Sequence, residues 1–141
     1  MRRFVRMGIV LVSTAGLLTG CFSKSMESTT QMPQVTAANE ISAIARLTSI
    51  ATAEAICQAE SESYATLDEL IEKRLLTDPS RGKLTNYVFD LRLTPTGFEA
   101  TAVPQKYPIS GKRSFYIDES RVMLAADKRG APATASDPVY Q

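Results

Sequence analysis

The spacing of apolar positions changes along the chain, and each change predicts an element. A mostly apolar block runs from Met7 to Leu18. Phe22 to Thr36 follows, rich in Ser, Thr, Gln and Met with Pro33 near its end; it has no sustained periodicity and reads as a flexible tether. Ala37 to about Glu62 contains neither Gly nor Pro and predicts a long helix, with Thr36 as its N-cap and Glu40 in its first turn. Ile41, Ile44, Leu47, Ala51, Ala55, Ile56 and Ala59 fall at helical spacing and predict its buried face, leaving Ile50 and Cys57 on the other side.

Thr66-Leu67-Asp68-Glu69 has the form of a capping box and opens a second, short helix with Leu67, Leu70, Ile71 and Leu75 as its stripe. Asp78-Pro79 is expected to stop it. From Tyr87 to Leu93 every odd position is large and apolar, which is strand alternation with one buried face. Thr94-Pro95-Thr96-Gly97 is a turn and Phe98 to Val103 the returning strand. A second hairpin is predicted from Ser114 to Ile117 and Arg121 to Ala125, around Asp118-Glu119-Ser120. The Ala, Pro, Ser and Asp rich tail from Asp127 to Gln141 is expected to lie irregularly on the surface. The predicted fold class is α+β: a long N-terminal helix packed on roughly four antiparallel strands, with one short extra helix.

The front of the chain has a different logic. Arg2, Arg3 and Arg6 precede the apolar block, and no acidic residue occurs before Glu27. That is the layout of a secretory signal peptide, and the block is too short to span a bilayer. Leu18-Thr19-Gly20-Cys21 resembles the bacterial lipobox, in which the cysteine becomes the acylated N-terminus. The division expected is therefore 1–20 signal peptide, 21–36 lipidated Cys21 and tether, and 37–141 globular domain. Phe22, rather than Asp, follows the cysteine; by resemblance to the sorting rule of some Gram-negative bacteria this favours the outer over the inner membrane. The membrane partner expected is the lipid bilayer, reached through Cys21.

Composition narrows the chemistry. Of 16 basic and 15 acidic side chains, cleavage before Cys21 removes three arginines and no acid, leaving a net charge near −2. A nucleic-acid partner is not expected of such a balance. Lys73, Arg74, Arg81 and Lys83 form a small basic cluster that reads as solvated surface. With Cys21 lipidated, Cys57 has no cysteine to pair with. The chain holds no histidine, which excludes Ser-His and Cys-His mechanisms and argues against a zinc site.

Candidate chemistry is sparse. Glu54, Glu60, Glu62, Asp68, Glu69 and Glu72 would offer carboxylate pairs for acid–base work, but they read as solvated helix faces. Cys57 reads as a small apolar filler. Asp118, Glu119 and Asp127 are weak calcium candidates, with turn chemistry the stronger reading at Asp118 to Ser120. No catalytic residue, cofactor or metal is assigned, and a non-enzymatic role is expected.

An ordered series of segments resembles the globular head of type IV pilins and type II secretion pseudopilins. It runs through Ala37 to Leu47, Ile50 to Ala55, Tyr64 to Leu70, Leu93 to Phe98, Arg113 to Ser120 and Ala131 to Pro138. The resemblance implies a pilin-like fold and a protein partner in a secretion or pilus system; some such heads bind calcium in C-terminal loops. The front departs from the family. The fifth residue after Gly8 is Ser13, where those proteins carry a glutamate, and the apolar run ends at Cys21 instead of continuing into the head helix. A lipid anchor in place of a polymerising stem is the implied arrangement, which puts assembly into a filament in doubt. The alternative function is a periplasmic lipoprotein that binds calcium, a small ligand or a polysaccharide.

Overall fold

A computed structural model of the protein describes residues 28–78 and 86–141. The signal segment, Cys21, Phe22 to Glu27, Pro79, Arg81 and Lys83 lie outside the described residues. Six elements follow in order: α1 (Ser28–Ser61), α2 (Leu67–Glu72), β1 (Tyr87–Leu93), β2 (Phe98–Pro104), β3 (Ser114–Asp118) and β4 (Leu124–Ala126). The strands form one antiparallel sheet in the order β1-β2-β3-β4, and α1 packs on β2 and β3. The expected α+β class and the helix-on-sheet layering are present.

The first helix departs from expectation at its start. It begins at Ser28, so residues 28–36 are helical rather than an irregular tether, and Thr36 is interior rather than a cap. Pro33 lies inside the helix near its start; its fixed φ suits the helix, but it removes one backbone hydrogen bond and its ring crowds the carbonyl one turn back, a local cost the helix bears there. Composition argued against helix here, but Ser, Thr, Gln and Met cost only tenths of a kcal/mol each once a long helix is already propagating, on the order of 0.5 kcal/mol or less. At 1.5 Å per residue, the 34 residues extend roughly 50 Å.

The buried face is also turned relative to the predicted one. Ile41 is 64% exposed, while Ile50 and Cys57 are buried. Ile56 and Ala59 are exposed as well. The true stripe is Glu40, Ala43, Leu47, Ile50, Glu54 and Cys57, alternating steps of three and four. Two of its positions are glutamates. Counting only apolar residues therefore shifted the predicted stripe around the helix. Leu47 and Ala51, both buried, and Ile44, partly so, do face the core as expected.

The capping box of α2 forms as read: Thr66 Oγ1 accepts from the Glu69 N–H, and Glu69 Oε2 accepts from the Thr66 N–H at 2.7 Å. The helix ends before Asp78-Pro79. Arg74 adopts φ 59°, and its N–H donates to the Ile71 carbonyl while the Leu75 N–H donates to the Leu70 carbonyl. That pair of bonds is a Schellman closure, with Leu70 and Leu75 in the accompanying apolar contact.

In the sheet, Tyr87 is buried and Phe89 and Leu91 partly so, but Leu93 at the strand end is 42% exposed. β4 is shorter than predicted because Arg121, at φ 59°, still belongs to the turn, where its N–H donates to the Asp118 carbonyl. The C-terminal tail is irregular and mostly exposed, as expected, but specific contacts tie it down as a strap. Ser114 Oγ donates to the Ala131 carbonyl at 2.7 Å, Ala133 is buried, and Leu124 pairs with Val139. Tyr140 then packs edge-on against Phe115 with ring centroids 5.8 Å apart. Among the described residues no helix is long and apolar enough to cross a membrane.

Candidate functional site: a groove at the first helix

The loop between β2 and β3 lies along α1, and polar side chains fix it there. Asn39 donates to the Ser110 carbonyl at 2.9 Å and accepts from Asn86 at 2.9 Å. Thr36 Oγ1 lies 3.4 Å from the Ile109 carbonyl. One step along the stripe, Glu40 inserts its carboxylate between helix and loop. Its Oε1 accepts from the Lys112 and Arg113 N–H groups at 3.0 and 3.2 Å, and its Oε2 from Arg113 Nε and Nη2 at 3.0 and 2.8 Å.

This is a fully satisfied buried carboxylate, which is the condition under which burying one is tolerable. Burial is the largest single influence and works against the Arg113 charge, but the Glu40 hydrogen bonds, the Glu40 charge and Tyr140 together outweigh it and hold the guanidinium pKa above its ordinary value. The guanidinium also sits over the Tyr140 ring, 4.9 Å from its centroid. Tyr87 completes the corner by donating to the Arg113 carbonyl at 2.9 Å. Its phenol pKa is raised by burial first and by the Glu40 charge second. Gly111 is required at this place, since a Cβ would run into the Tyr87 hydroxyl and ring.

Outside this pair, a groove of about 510 Å³ opens between α1 and the loop, lined among others by Pro33, Ala37, Pro108, Ile109 and Asp127. Val35, Tyr107 and Ile109 stand exposed on the same loop and helix segments. Its lining combines apolar residues with the charged residues Lys112 and Asp127.

A second polar cluster lies further along α1. Glu54 is fully buried, accepts from the Ala65 N–H at 3.0 Å through Oε2, and has no hydrogen-bond partner for Oε1. Burial pushes its pKa up, against the opposing Ala65 hydrogen bond. Glu54 is thus not part of a solvated face, contrary to the sequence expectation; Glu60, Glu62, Asp68 and Glu72 are exposed. Glu69 is taken by the capping box. Cys57 is a buried free thiol, as its role of apolar filler requires, and the Lys73 ammonium lies 3.1 Å from its sulfur. Lys73 therefore leaves the basic surface cluster for a specific contact.

The calcium candidates are not brought together. Asp118 Oδ1 accepts from the Ser120 N–H at 2.9 Å and from the Ser120 hydroxyl, the turn chemistry expected of it. Asp127 accepts from the Arg129 N–H and the Tyr107 hydroxyl, and Glu119 rests against Gly97 in the first hairpin turn. Among the described residues no group of three carboxylates or thiols is close enough to hold a metal ion.

The sequence pointed to neither Glu40 nor Arg113. Their contact spans 73 residues, and the only local signal is the place of Glu40 on a three-four stripe that continues through Ala43, Leu47 and Ile50. No protein-family model, curated protein or solved structure matches this chain.

Proposed function

We propose that this chain is a lipid-anchored bacterial envelope protein whose pilin-like head binds another protein and catalyses no reaction. The observation that carries the reading is the groove at α1. There Glu40 and Arg113 are consumed in holding loop to helix, while Val35, Tyr107 and Ile109 are left facing outward. A helix layered on a four-stranded antiparallel sheet is consistent with a pilin-type head. The Arg2 to Cys21 segment supplies the anchor, and Phe22 favours the outer membrane. A component of a secretion or pilus system is the partner class that the pilin-like series of segments suggests.

Two measurements test this. Cys21→Ala should accumulate as an unprocessed precursor that takes up no labelled fatty acid; normal processing of that variant would refute the anchor. A photo-crosslinking residue at Ile109 in native membranes should capture one discrete protein, and one at exposed Glu60 should not. Equal capture at both positions would remove the groove from the reading.

A further inference from the structure

The sheet has one edge covered and one open. At β4 the C-terminal strap pairs alongside: the Ala125 N–H donates to the Pro138 carbonyl at 3.0 Å and the Tyr140 N–H to the Met123 carbonyl at 2.8 Å. At β1, no strand lies alongside among the described residues. Two bonds fix the direction of the β1 backbone groups. The Thr94 N–H donates to the Gly97 carbonyl at 2.9 Å, and the Gln105 N–H to the Asn86 carbonyl at 3.0 Å. Both pairs continue the β1–β2 register one step past its ends. Hydrogen-bonded pairs alternate in an antiparallel ladder, so Val88, Asp90 and Arg92 bond to β2. Tyr87, Phe89, Leu91 and Leu93 therefore aim their N–H and C=O groups away from the sheet.

We propose that β1 pairs antiparallel with β1 of a second copy of this chain, across a two-fold axis at Leu91, to make one eight-stranded sheet. Every outward backbone group from Phe89 to Leu93 then finds a partner. Charge selects this register over its neighbours. With the axis at Leu91, Asp90 stands opposite Arg92 of the other copy, and the symmetry makes that pair twice. With the axis at Asp90 or at Arg92 the backbone would still match, but a like charge would face itself. On the core side Leu91 meets its own copy, and Phe89 meets Leu93, which covers the 42% of Leu93 now in water. Within one chain Asp90 and Arg92 make only a loose contact of 3.8 Å, with side chains 67% and 73% exposed, so both are free to re-pair. Charges on an edge strand ordinarily guard it against chance pairing. Here they alternate in sign two residues apart, which repels most strands and matches this one. The pairing requires neither the lipid anchor nor the groove.

Sedimentation of the full chain in density-matched detergent, over a concentration series, tests this. The wild type should shift from monomer to dimer. Asp90→Arg and Arg92→Asp should each weaken self-association about tenfold, because two opposite-charge pairs become like-charge pairs. The double variant, with the charges exchanged, should restore it. Leu91→Pro should abolish dimerisation while keeping the wild-type circular dichroism, since the N–H it removes points away from β2. A wild type that stays monomeric, a double variant no better than the singles, or a dimer that survives Leu91→Pro would each overturn the proposal. Should Leu91→Pro fail to fold, the charge-exchange series decides alone.

Discussion

Removing Arg113 should cost this domain more than any other single surface-reaching side chain, and the cost should depend on Glu40 being present. In Arg113→Met, two backbone N–H donors remain on Glu40 Oε1, but Oε2 loses both of its bonds and the charge loses its counterion. Breaking a buried pair from one side typically costs about 3–5 kcal/mol. The Arg113 side chain is 42% exposed, so solvent screens part of that and water reaches part of the vacated space. An expected loss of about 2–3 kcal/mol follows, roughly a 10–15 °C drop in melting temperature for a domain of this size. Glu40→Met should cost a similar amount, leaving two loop N–H groups without an acceptor. The double variant should cost much less than the sum, with a coupling of about 1.5–2.5 kcal/mol between the sites. Urea titrations of the four proteins, followed by circular dichroism, measure this. Additive losses, with coupling below about 0.5 kcal/mol, would refute the claim that the two groups hold helix and loop together.

Three other outcomes are expected. Because burial raises the Glu54 pKa, the folded state holds its proton more tightly than the unfolded chain; that contribution is complete below the usual carboxylate pKa of about 4.3 and is lost as pH rises through the raised value. Glu54→Gln, which keeps an acceptor for the Ala65 N–H, should therefore flatten the loss of stability seen in the wild type above that pH, as followed by melting temperature against pH. On α1, Ile50→Ala should cost about 2–4 kcal/mol and Ile41→Ala less than about 0.5, the reverse of what the apolar periodicity implies, and denaturant midpoints will rank them. Gly111→Ala should destabilise by about 1–3 kcal/mol through collision with the Tyr87 ring, and thermal melts should show part of that recovered when Tyr87→Leu is added.

The sequence carries the elements decided locally and not those decided by distant contacts. The capping box at Thr66 and Glu69, the alternation from Tyr87 to Leu93 and the Asp118 turn are each decided by neighbours within a few residues, so the sequence carries them directly. The helix face is not legible from apolar spacing because its stripe contains Glu40 and Glu54. Each is tolerable in the core only through donors supplied from elsewhere: Arg113 and two loop N–H groups for one, the Ala65 N–H for the other. Nothing within one turn of either glutamate announces those donors. The strap is illegible in the sequence for the same reason. Ala, Pro and Ser composition argues for an irregular path, which is correct, but the contacts that bury Ala133 and seat Tyr140 come from β3 and β4. Residues 28–36 show the opposite failure, in which composition spoke against a helix that the adjoining turns simply extend.

The 73-residue separation of Glu40 and Arg113 has a consequence in time. In a chain made from its N-terminus, the α1 segment is complete long before β3 exists, with a stripe that carries Leu47 and Ile50 beside two carboxylates. At roughly 5–20 residues per second, about 4–15 seconds pass before Arg113 even exists to neutralise Glu40. Until then the two glutamates keep that stripe hydrated, so the early segment is a poor nucleus for sticking to other nascent chains. The feature that costs the finished domain a buried charge thus acts, during synthesis, as a solubilising group on a surface destined to be core.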